Sequence, residues 1–286
     1  MRVGDVRTEQ WVAVGIGLAI GVATVSTVGY LDERLWQVWA ALAVGLTTAS
    51  GLVFNYGIAR WRELPEAERV GGRRDAVVLA ALVGGLLVVA LVPGFLRRES
   101  HWRGPALVAT AFAGLVPAAC TMLAVRRAAR SPEVSGDGEL ADWLLRRRRL
   151  LRGLLSAAGV PIALATLALG AAVQLQSDMV DAHRLEAAQA FAPQTVVIFG
   201  GSCSLVVALF YVPAVGELRQ RARELCARLF DLTQVNDGPA LLSRIDDRIK
   251  SEMLLGADTG LFADLQTGLV VLAPLLASTA SLLLPH

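Results

Sequence analysis

Residues 146–175 read RRRRLLRGLLSAAGVPIALATLALGAAVQL. Four consecutive arginines, Arg146, Arg147, Arg148 and Arg149, with Arg152 one helical turn further on, lead directly into an apolar stretch over 153–175. That stretch is long enough for a helix to cross the ~30 Å of hydrocarbon in a bilayer. It also lacks the polar face that a buried helix of a soluble domain repeats every ~3.6 residues. Guanidinium groups resist translocation and are drawn to anionic lipid, so the block marks the cytoplasmic side of this span.

Composition extends the reading to the whole chain. Of 286 residues 55% are hydrophobic and only 18% charged, and the mean hydropathy is +0.54. The apolar residues come in blocks, and each block predicts a span: 11–30, 36–58, 76–96, 104–125, 153–175, 195–215 and 268–284. The first of these is longer than the apolar core of a signal peptide, and no small-residue cleavage motif follows it. The expected fold class is therefore all-α: a polytopic transmembrane helical bundle of three hairpins plus a C-terminal span. Its divisions are a six-span bundle over 1–215, a cytoplasmic amphipathic helical hairpin over 216–267, and a seventh span with an external C-terminus over 268–286.

Sidedness follows from alternation. Of 27 lysines and arginines, 22 fall in one set of alternate connections and five in the other. This bias predicts a cytoplasmic N-terminus and an extracytoplasmic C-terminus in a multi-pass cell-membrane protein, of the kind found in the bacterial cytoplasmic membrane. Arg97, Arg98 and Arg103 run against it, in a short outer connection. All six tryptophans (Trp11, Trp36, Trp39, Trp61, Trp102 and Trp143) sit at or just beyond the ends of expected spans, the headgroup level that an indole prefers. The net charge of +2 does not point to nucleic acid, and 26 of the 27 basic residues are arginine, Lys250 being the exception.

The longest connection, 216–267, carries two apolar stripes. Leu218, Ala222, Leu225 and Leu229 share one helical face, and after Asn236-Asp237-Gly238-Pro239 come Leu242, Ile245, Ile249 and Met253 on another. Two such helices pack on each other or on the inner membrane surface. Residues 131–138 predict a flexible turn ahead of the arginine block.

No Asp, Glu, Lys, Arg or His lies inside any expected span. Ion-coupled carriers, proton relays and voltage sensors need such groups, so these functions are disfavoured. Proline at 117, 161 and 274 interrupts three spans, which leaves room for broken helices around a neutral solute, although proline is common in membrane helices. Small residues four apart, led by Gly17 and Gly21, predict close helix packing. Hydroxyls within spans usually bond a carbonyl one turn back, and the polar positions Asn55, Ser202, Ser204, Ser278 and Ser281 are candidates for a pore or for packing. His101 and His183, with His286, fall on the expected outer side as weak candidates for an external metal site, and their spacing matches no ligand motif. Cys120, Cys203 and Cys226 have no paired spacing and read as packing residues.

No catalytic residue and no cofactor is expected. The remaining expectation is a non-catalytic anchor or effector subunit. Its partners are the bilayer and a cytoplasmic protein or a second copy, met through Arg146–Arg149 and Arg152 and the helical hairpin. The alternative is a channel or transporter for a small solute, through the bundle or an oligomer of it.

Overall fold

A computed structural model describes residues 3–26, 34–69, 103–132, 134, 136–181, 194–231 and 238–257. In chain order the helices are α1 (Val3–Val25), α2 (Arg34–Arg62), α3 (Glu66–Arg69), α4 (Arg103–Arg130), α5 (Asp137–Asp181), α6 (Gln194–Leu229) and α7 (Gly238–Leu255). No strand occurs among the described residues. Four helices, α2, α4, α5 and α6, are long and apolar enough to cross a membrane. The apolar part of α1, Trp11–Val25, is shorter. Seven spans were expected; those over 76–96 and 268–284 lie outside the described residues.

The central helix is α2, which packs on α1, α4 and α5, while α6 lies against α4 and α5. Its small residues explain why it can hold three neighbours. A Cβ on Gly57 would come within 2.8 Å of the Ala118 nitrogen and of Pro117 Cβ on α4, so the two helices touch almost backbone to backbone. Gly17 and Gly21 of α1 likewise face Thr47 and Val44 of α2 without room for a side chain, so this pair serves packing within the chain. Pro117 and Pro161 do not break their helices, since α4 and α5 run through both.

Five hydroxyls inside the bundle are satisfied locally. Thr24 donates to the Gly21 carbonyl (2.7 Å), Thr47 to Val44 (3.0 Å), Ser50 to Leu46 (2.7 Å), Thr121 to Pro117 (2.8 Å) and Thr166 to Ile162 (2.9 Å). Each bond removes the cost of a polar group in an apolar interior. The outer faces of the long helices carry Val38, Leu52, Val160, Leu167, Leu205 and Leu209 exposed, the kind of surface that lipid covers in a membrane protein.

Two boundaries and one tryptophan differ from the sequence reading. The turn expected over 131–138 is short, and α5 begins at Asp137, so the arginine block and the span after it form one unbroken helix of 45 residues. No turn separates the span ending near 215 from the first amphipathic stripe. Helix α6 continues to Leu229, and Leu218, Ala222 and Leu225 are buried in the bundle core with Leu64, Ala129, Leu140 and Leu144. Trp36 is also buried, where a headgroup position was expected.

Candidate functional site

The last turns of α2 and α4, the segment from Glu63 to Arg69 and the first third of α5 meet at one end of the bundle. They enclose a cleft of about 810 Å³. Leu64, 1% exposed, plugs into the core and fixes the α2–α3 connection, so that α3 holds Glu68 over α5. There Arg147 Nη2 donates to both Glu68 carboxylate oxygens, at 2.8 and 2.7 Å. The two side chains are only 12% and 16% exposed, which makes the pair a structural clamp rather than a surface ion pair. Trp143 joins it, donating from Nε1 to Glu68 at 3.4 Å and lying 5.5 Å from the Arg147 guanidinium, within cation–π range.

Across the cleft, Arg60 donates to both oxygens of Glu63, at 3.0 and 2.7 Å, and sits 5.1 Å from the Tyr56 ring centre. The Tyr56 hydroxyl rests against Gly153, where a side chain would collide with it. Arg127, Arg146 and Arg149 complete the basic lining. Arg146 pairs with Asp142 one turn back. Arg149 is exposed and makes no hydrogen bond or ion pair among the described residues. Five guanidinium groups thus face two carboxylates, both already engaged. Arginine stays protonated at any physiological pH, so such a lining offers fixed donors and positive charge, and no proton to transfer.

The arginine block is divided by helical geometry. Arg146, Arg147 and Arg149 line the cleft, while Arg148 points elsewhere, against Gly256 at the end of α7. Gly256 has φ +71° and closes a Schellman turn, with Ala257 N–H donating to Glu252 O at 2.7 Å and Gly256 N–H to Met253 O at 3.1 Å. Arg223 of α6 donates to the Ala257 carbonyl at 3.1 Å, so two arginines hold the negative end of the α7 dipole. Arg221 does the same for α4, donating to the Ala129 carbonyl at 2.8 Å and to that of Arg130. Arg152 is half-buried further along α5.

The other sequence candidates are scattered. Asn55 is half-buried on α2, and Ser202 and Ser204 are half-buried on α6. The Ser204 hydroxyl oxygen is buried with no partner among the described residues. Ser278, Ser281, His101 and His183 lie outside the described residues, and no group of three or more His, Cys, Asp or Glu among the described residues could hold a metal ion. The stripe of α7 is exposed, with Leu242 at 70% and Met253 at 60%, and no residue of that helix is buried.

Sequence reasoning missed Arg60, Glu68, Arg127 and Tyr56. Their one legible signal was a common position, at or near the basic ends of helices that share an expected sidedness. No protein-family model matches the chain, and no curated protein or solved structure is significantly similar to it.

Proposed function

We propose that this chain is a non-catalytic integral membrane component, an anchor or effector subunit, that receives an anionic partner or signal on its cytoplasmic face. In this reading the bundle crosses the membrane seven times, with the N-terminus inside and the C-terminus outside, and the arginine-rich end lies in the cytoplasm. The observation that carries it is the cleft: guanidinium groups from α2, α4 and α5 converge there in excess of the carboxylates that face them. Arginine needed only to orient the spans has no reason to converge, because flanking position alone suffices for topology. The exposed stripe of α7 supplies a second contact surface on the same end.

The test is purification from the native membrane, with and without the double change Arg146→Gln and Arg149→Gln. The reading predicts a co-purifying component that is lost in the variant while the orientation of the chain is unchanged. Equal co-purification from both contradicts it. A second reading, a channel or transporter for a small solute, draws on the unpartnered hydroxyl of Ser204 inside α6. Solute or ion flux through proteoliposomes of the purified chain would favour that reading over the first.

A further inference from the structure

Helix α7 rests on the bundle by its more polar side. Leu241, Ile245, Arg248, Glu252 and Leu255 recur on one helical face and are half-buried, the side turned toward α5 and α6. The middle of that face is an ion pair, Arg248 Nε donating to Glu252 at 2.9 Å. The apolar stripe of Leu242, Ile249 and Met253 points outward instead, 70%, 47% and 60% exposed. An amphipathic helix gains most by burying its apolar side, and a partly buried ion pair returns little of what its desolvation costs. No residue of α7 is buried. Only the turn after it is anchored: Ala257 belongs to the core cluster, Arg223 donates to its carbonyl at 3.1 Å, and Arg148 packs against Gly256.

Under the body of α7 lies Cys226 of α6. Its side chain is fully buried, yet it does not belong to the core cluster that takes Leu218, Ala222 and Leu225 of the same helix. Glu252 and Arg248 are close enough to its sulfur to act on it electrostatically, so the cover over this thiol is α7. A helix held by so little surface opens at a free energy well below that of the whole fold. We infer that α7 is a releasable strap, whose body swings off α6 about the anchored turn at Gly256 and Ala257 and opens Cys226 to water. The thiol reports the motion and has no chemical role of its own in it. The inference rests on the proposed reading only for its consequence, a receiving end that exists in a covered and an open form.

The experiment uses the full chain in nanodiscs, with Cys120 and Cys203 replaced by Ala so that Cys226 is the single thiol. Its reaction with a small maleimide is followed by mass spectrometry under native conditions. The exposed reference is Arg244→Cys in a chain whose three native cysteines are Ala. An open state populated at about 0.1–10% predicts labelling of Cys226 about ten- to a thousandfold slower than the reference. Hydrogen exchange of the unmodified chain should show residues 238–254 exchanging ahead of α5 and α6.

Leu241→Asp, on the inward face, should speed the labelling by about tenfold or more, because a docked carboxylate loses its water. Leu242→Asp, one position on and turned outward, should leave it unchanged. Gly57→Ala, which strains the contact of α2 with α4 and lowers the stability of the whole bundle, should also leave it unchanged, since release of α7 does not pass through global unfolding. Three results would overturn the inference: no labelling before the bundle unfolds, labelling as fast as the exposed reference, or Gly57→Ala or Leu242→Asp matching Leu241→Asp. Labelling as expected, with equal co-purification from the Arg146→Gln and Arg149→Gln chain, would leave the strap standing and remove the receiving face. The reverse pair of results would remove the strap alone.

Discussion

Arg221 reaches from α6 to the last carbonyls of α4, and Arg223 reaches the Ala257 carbonyl just past the end of α7, where Arg148 packs against Gly256. Arg221 and Arg223 each neutralise carbonyls that a helix end cannot pair by itself. Replacing Arg221 with Met keeps most of its length and removes the donors. The expected cost is about 1–2 kcal/mol, read as a lower unfolding midpoint of the detergent-solubilised protein. Glu68→Gln should cost about 2 kcal/mol, because it turns a charge-assisted clamp on buried Arg147 into a neutral contact. Arg149→Gln should leave the midpoint unchanged, since it breaks no bond among the described residues. None of these assignments was visible in the chain itself. Glu68 and Arg147 are 79 positions apart, and no local pattern links the Glu66–Arg69 segment to the arginine block. Within the block RRRR, nothing in the letters distinguishes Arg148, which supports α7, from Arg147, which holds α3.

At the scale of elements, the decisive feature is helix length. By ~1.5 Å per residue, α5 extends roughly 68 Å, more than twice the hydrocarbon thickness. A rigid rod therefore carries the arginine block beyond the span and fixes it relative to α2 and α4. The apolar blocks and the arginine-rich flanks were legible because they follow from hydropathy and charge in a local window. Continuity of α5 and α6 across the expected boundaries was not legible, because Gly153 in α5 and Pro213 and Gly216 in α6 read as breakers in the letters and yet are carried inside the helices. Of the stripe expected over Leu218, Ala222, Leu225 and Leu229, the first three are buried in the bundle core and Leu229 is exposed. Two substitutions test the packing of elements. Gly57→Ala forces a methyl group against Pro117 and Ala118, neither of which is the end of a flexible side chain, so α2 and α4 must separate at a cost of about 1–3 kcal/mol. Gly256→Ala puts a side chain at φ +71° and into the space of Arg148, which should release the end of α7. Hydrogen exchange over 238–257 should then speed up while exchange in α2 and α4 stays as it was.

Among the described residues the molecule is all-helical, with four membrane-length helices, and most of the basic side chains gather at one end of the bundle, Arg34 at the start of α2 lying at the other. Contacts tie that end together: Arg130 with Glu217 at 2.9 Å, Arg228 with Asp137 at 4.0 Å, and Arg147 with Glu68. The proposed reading adds that this end faces the cytoplasm. Its most direct test is labelling of Asp142→Cys on α5 and Arg244→Cys on α7, both exposed positions, in a chain whose Cys120, Cys203 and Cys226 are replaced by Ala. With a membrane-impermeant maleimide, both positions should react in inside-out vesicles and neither in intact cells. Reaction of either one in intact cells would contradict the account.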